Sequence, residues 1–169
     1  GIDCFELINL ANKHPRVNIL QPGPGVGGHC IPVDPWFIVS QNPKEAKLIK
    51  TARLINDAKP SELIEKIKKE ASSFKRPKIA LLGLSFKADI DDLRESPALS
   101  IAAQLACEDA LEILVVEPYV SSLPKVLQKE NIRKVDLEES LKFSDIVVVL
   151  VDHSLFRETS PSLSKGQIL

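Results

Sequence analysis

Three short apolar runs limit what this 169-residue chain can fold into. Lys78–Leu82, Leu111–Val116 and Asp145–Val151 have the length of strands, are rich in Ile, Leu and Val, and are separated by segments of helical pattern. Successive side chains of a strand reach opposite faces of its sheet, so runs without polar alternation need cover on both sides. That rhythm predicts a parallel sheet with helices on its faces, an α/β fold. Helices are expected over Pro97–Cys107, Leu123–Lys129 and Leu137–Phe143, with further strands near Ile132–Val135 and from Gln167.

The first part of the chain reads differently. Residues 1–13 are helical in pattern from the outset, with no initiating Met and no cap, and stop near His14-Pro15. This predicts the end of a longer helix, and therefore a piece of a longer protein. Residues 15–36 read as a loop. Asn42-Pro43 reads as the start of a helix whose apolar stripe runs through Leu48, Ala52, Ile55, Leu63 and Ile67, with a kink or break at Pro60. A polar linker follows over 72–77. The expected organisation is thus a helical segment, 1–73, followed by a Rossmann-like sheet domain, 74–169.

Charge excludes some functions. Net charge is -1 with acidic and basic residues interspersed, which leaves no footprint for nucleic acid or an anionic membrane. No apolar run approaches the roughly 20 residues that cross a bilayer, and nothing reads as a signal peptide. Three widely spaced cysteines form neither a disulfide framework nor a zinc motif, which suits a reducing cytoplasm, and no metal site is expected.

Chemistry concentrates in Pro22–Trp36, which holds Gly23, Gly25, Gly27 and Gly28 together with His29, Cys30 and Asp34. Glycines let a backbone approach a ligand and adopt positive φ, and the interleaved prolines stiffen the loop. Cys30 has little helix or strand around it to bury it and reads as a nucleophile. Cys4 and Cys107 lie on apolar helical patterns and read as small buried hydrophobes. Asp34 precedes a proline and is either a turn residue or a carboxylate serving the thiol. The glycines form either a tight loop or one whose backbone wraps a ligand.

The run Gly27-Gly-His-Cys-Ile-Pro-Val-Asp-Pro-Trp36 resembles the catalytic loop of the UDP-glucose/GDP-mannose dehydrogenase family. Gly83-Leu-Ser-Phe-Lys-Ala-Asp-Ile-Asp-Asp-Leu-Arg-Glu-Ser-Pro97 is similar to the opening of that family's C-terminal nucleotide-sugar domain. The resemblance implies NAD as cofactor, a UDP-sugar as substrate, a homodimer, and feeding of surface polysaccharides. It places an N-terminal dinucleotide-binding domain, and a lysine and asparagine of the acid–base apparatus, before Gly1. It makes Cys30 the thiol that attacks a C6 aldehyde and gives Asp34 the hydrolytic water. A thiohemiacetal is a good hydride donor where a free aldehyde is poor, and its oxidation leaves a thioester that water cleaves.

The same resemblance assigns Phe86 and Lys87 to the UDP-sugar and turns Arg94 toward the cofactor. Arg16 either reaches the sugar nucleotide of a partner subunit or is solvated. His29, with Val33 in place of the lysine of the UDP-glucose branch, favours an N-acetylhexosamine, UDP-N-acetyl-D-mannosamine first. UDP-N-acetylglucosamine or UDP-glucose is the alternative. The 169 residues alone are expected not to turn over and to act at most as a binding and dimerisation module.

Other polar residues read more plainly. Gly83 follows a strand but lacks the G-x-G-x-x-G pattern, and Glu117 lies too far on to be a ribose-binding acid. Asp89, Asp91, Asp92 and Glu95 read as a solvated acidic loop; Asn56-Asp57 corresponds to a pair in the family, and Asp57 reads as an exposed helical turn. His153, in Val151-Asp-His-Ser154, is a lesser candidate for ligand contact, and His14 reads as a helix terminus.

Overall fold

A computed structural model describes residues 2–159 and 167–168. The sheet domain forms as its pattern requires. Strands β1 (Lys78–Leu82), β2 (Glu112–Val116), β3 (Ile132–Lys134) and β4 (Ile146–Val149) are all parallel, in the order β3-β2-β1-β4. Ile79 lies opposite both Ile113 and Ile146. Ile168 adds a single parallel bridge to Ile146, at the place where a strand was expected from Gln167.

Alternation sorts the side chains into two cores. Ile79, Leu81, Ile113 and Val115 face one way, while Ala80, Leu82, Leu114 and Val116 face the other. The first core is closed by helix α4 (Pro97–Leu105) and the second half of α3 (Lys47–Ala71). The second is closed by Leu137 and Leu141 of α5 (Leu137–Phe143) and Phe156 of α6 (Ser154–Thr159). Ser96 and Asp136 cap α4 and α5 through their side-chain oxygens. The helix expected over Leu123–Lys129 is reduced to a 3-10 turn at Lys125–Leu127. Helix α4 stops at Leu105, which leaves Cys107 exposed rather than buried as expected.

The N-terminal part departs further from expectation. Helix α1 (Cys4–Ala11) is capped after all: the Asp3 carboxylate accepts hydrogen bonds from the Phe5 and Glu6 amides. It buries none of its residues, so Cys4 is exposed too. Helix α2 (Asp34–Gln41) begins inside the expected loop, with Pro35 in its first turn, where a missing N–H costs nothing. Asn42 ends α2 instead of starting the next helix, and α3 begins at Lys47.

Pro60 does not break α3. A proline leaves one carbonyl without its intrahelical donor. Burial of Ile64, Ile67 and Ala71 beyond it holds the helix through that gap. The apolar stripe is covered only there. Leu48 and Ile55, before the proline, are exposed because at about 1.5 Å per residue the 25-residue helix outruns the sheet.

Candidate active site

In an open parallel sheet, ligands settle outside the carboxyl ends of the strands where the strand order reverses. Here that point lies between β1 and β4. Gly83 leaves β1 at φ +91, and a Cβ on it would stand 2.5 Å from the Val151 Cβ. Only glycine meets both conditions, so the chain turns sharply and sends Leu84–Pro97 across the switch point.

Two acidic residues and a histidine hold that loop. Glu117, fully buried at the end of β2, accepts from the Leu84 amide at 2.7 Å, the Ser85 amide at 3.2 Å and the Tyr119 amide at 3.0 Å. His153, also fully buried, takes the Asp89 amide on Nδ1 at 2.9 Å. That bond sets the tautomer, so Nε2 carries the proton and donates to Glu117 Oε2 at 3.2 Å. Burial opposes charge on Glu117, but the hydrogen bonds from His153, Leu84 and Tyr119 outweigh it and hold the carboxyl below its ordinary value.

Asp89 is not merely a solvated acid. Its φ is +62, uncommon for a residue with a Cβ. Its carboxylate accepts from the Ser154 hydroxyl and amide and from the Tyr119 hydroxyl. Those bonds, Ser154 first, lower its pKa to about 2. Asp92 chelates Arg94 through Nε at 3.0 Å and is likewise lowered to about 2, chiefly by that guanidinium, with a small contribution from His29.

The loop so held meets the glycine stretch. At Gly27 a Cβ would stand 2.6 Å from the Glu95 carbonyl oxygen, 2.7 Å from the Phe86 Cβ and 2.8 Å from Pro97. Gly28, at φ +99, rests on the Phe86 ring, and its amide donates to the Arg94 carbonyl at 3.2 Å. Gly25, at φ +145, faces Pro97 and the Asn56 carbonyl. Gly25 also lines a groove of ≈ 410 Å³ shared with Arg53, Asn56, Pro60 and Pro97. The two sequence motifs therefore form one surface.

On that surface Cys30 is exposed, and its carbonyl accepts the Val33 and Asp34 amides at the entry to α2. Asp34 is the exposed first residue of α2, and His29 and Lys87 are exposed as well. Phe86 is half-buried under the glycines, which leaves Lys87 as the loop's outward cation. Arg94 projects outward with its charge already paired to Asp92. Arg16 stands apart, on an exposed turn that Asn12 clamps by bonding both the amide and the carbonyl of Ile19.

The Glu117–His153–Asp89 network and the role of Asn56 carry no local signal in the sequence. They arise between residues thirty or more positions apart. The network also has a chemical consequence. The Leu84 and Ser85 amides at the end of β1, which a dinucleotide's pyrophosphate would need, are already bonded to Glu117.

Known proteins are similar to this chain over both its parts. The profile of the UDP-glucose/GDP-mannose dehydrogenase family, UDP binding domain, matches residues 80–168, and that of the family's central domain matches 1–58. The chain is 63% identical over 158 residues to a UDP-N-acetyl-D-mannosamine dehydrogenase of Campylobacter jejuni, covering 93% of this chain and 39% of that protein. It is 55% identical over 169 residues to an NDP-N-acetyl-D-galactosaminuronic acid dehydrogenase of Ralstonia nicotianae, covering 100% of this chain and 40% of that one. A solved UDP-N-acetyl-mannosamine dehydrogenase from S. aureus superposes with a TM-score of 0.70 at 41% identity, covering 90% of this chain and 34% of that one. The chain thus spans about two fifths of the length of these curated relatives.

Proposed function

This chain belongs to the UDP-glucose/GDP-mannose dehydrogenase family, and from that membership we propose that the protein carrying it oxidises UDP-N-acetyl-D-mannosamine to UDP-N-acetyl-D-mannosaminuronate. The observation that carries the reading is an exposed Cys30 thiol on a loop whose glycines rest on Phe86 at the switch point of the sheet. A primary alcohol, water and two oxidised nicotinamides become a carboxylate, two reduced nicotinamides and three protons.

Residues 1–73 supply the thiol loop and residues 74–169 the UDP-sugar surface, with Phe86 and Lys87 turned to the nucleotide sugar. The Cys30 sulfur adds to the C6 aldehyde to give a thiohemiacetal, keeping it from escaping; loss of a hydride and a proton from that adduct leaves a thioester on Cys30, which water oriented by Asp34 cleaves, freeing the thiol. The glycine loop and His29 face the sugar. The sheet of this chain does not fit NAD, because Glu117 occupies the Leu84 and Ser85 amides. The cofactor, whose part is to accept hydride, is bound by residues outside these 169, with Arg94 facing it. The uncovered apolar side chains Ile2, Phe5, Leu10, Leu48 and Ile55 fit a homodimer, in which Arg16 reaches the partner's sugar nucleotide.

The test is NADH yield per sugar in the full-length protein. Two NADH per UDP-N-acetylmannosamine are expected. Cys30→Ser is expected to lower the rate by more than about a thousandfold at an unchanged melting temperature. Turnover of UDP-glucose or UDP-N-acetylglucosamine alone would keep the mechanism and overturn the substrate. Full activity in Cys30→Ser would overturn the mechanism.

A further inference from the structure

Resting on that reading, we propose that Asn56, held by Arg53, is a positioning residue that sets where the Cys30 thiol stands. The Val26 amide donates to Asn56 Oδ1 at 3.0 Å across thirty positions of sequence. Two residues on, the Gly28 amide donates to the Arg94 carbonyl. The loop is therefore pinned on both sides of Gly27, at the point where no Cβ fits. Cys30 follows two residues later, with its carbonyl engaged by the first amides of α2. A shift at Val26 passes directly to the sulfur, because Gly27 and Gly28 leave little slack against Phe86 and Pro97.

Arg53 explains why Asn56 presents its oxygen. Its side chain is buried, Nη1 lies 3.4 Å from the same Oδ1, and Nη2 pairs with Asp57. Arginine stays protonated throughout the ordinary pH range, so this side of Asn56 always faces a donor and the amide nitrogen points away. Arg53 Nε has no hydrogen-bond partner among the described residues. A buried guanidinium left partly unsatisfied costs stability, which marks Arg53 as kept for more than packing. The latch lies under the thiol loop, whereas Phe86 and Lys87 lie on the other loop, so its loss acts first on thiol placement and leaves the Phe86 and Lys87 contacts in place.

The experiment compares Asn56→Ala and Asn56→Asp with wild type in the full-length protein. A misplacement of about 1 Å at a reacting atom costs up to about a hundredfold in rate. For Asn56→Ala we expect kcat down by about ten- to a hundredfold, a KM for the sugar nucleotide that changes far less than kcat, and an altered rate of Cys30 alkylation by iodoacetamide, read by mass spectrometry of the Cys30 peptide. Asn56→Asp keeps the acceptor oxygen for Val26 and for Arg53, and should restore both readouts. An unchanged kcat in Asn56→Ala, a rise in KM alone, or an Asn56→Asp no better than Asn56→Ala overturns the proposal. If Asn56→Ala does not fold, Asn56→Gln, which carries the same amide one methylene farther out, takes its place. If wild type oxidises no nucleotide sugar, the dehydrogenase reading fails and alkylation alone decides. Equal Cys30 alkylation rates in wild type and Asn56→Ala would then overturn the latch.

Discussion

The sheet domain and the segment before it are built on different physics. In the sheet, Ile79, Leu81, Ile113 and Val115 are fully buried, and two cores close the two faces. In the segment, α1 buries no residue, and Phe5, Leu10 and Leu20 are exposed. What holds α1 and the thiol loop in place is largely polar: Asn12 on Ile19, Asn56 on Val26, and Gly28 on Arg94. Apolar burial is the larger contribution to folding, while single hydrogen bonds add about 1 kcal/mol each. The chain thus carries its candidate nucleophile on the part that contributes least to its own stability and positions it against the part that contributes most.

Substitutions can test that division. Leu81→Ala, inside the larger core, should cost about 2–5 kcal/mol in urea unfolding. A cost under about 1 kcal/mol would mean that the sheet is not the source of stability. Gly27→Ala forces a Cβ onto the Glu95 carbonyl and Pro97, and should cost about 1–3 kcal/mol. Its signature is faster proteolysis between residues 15 and 33 with the sheet still folded. Simultaneous loss of both would show that the two regions unfold as one.

Acid probes the same contact through charge. Asp89 and Asp92 have folded values of about 2 against 3.8 ordinarily. Their contribution is present above pH 3.8 and is lost as pH falls toward 2. Melting temperature should therefore drop through that window, and less steeply in Asp89→Asn; equal slopes would contradict the assignment. The smallest effect is expected at Leu48, 82% exposed on the overhanging half of α3. In the isolated chain Leu48→Ala should change stability by no more than about 0.5 kcal/mol.

Much of this was legible without coordinates. The β-branched run over 145–151 and the alanine-rich helix from Pro97 are local patterns, and each occupies the element its pattern predicts. Errors fell where local pattern and tertiary packing compete. Asn42 has the chemistry of a cap, yet it closes α2 because Asp34-Pro35 had already started a helix. Cys4 and Cys107 sit on apolar patterns but lie where nothing in the described chain covers them.

By itself, then, the sequence determined the fold class, the order of the strands along the chain, and the residue types of two loops, one carrying the Cys30 thiol and one carrying Phe86 and Lys87. Only the tertiary structure decided that Glu117 is spent on the Leu84 and Ser85 amides, that Asp89 is held left-handed by Ser154 and Tyr119, and that Asn56 reaches Val26. The physical reason is competition for partners. Hydrophobic periodicity acts over neighbouring residues and is written in their spacing, whereas a buried donor or acceptor is satisfied by whichever distant group the fold brings within about 3 Å.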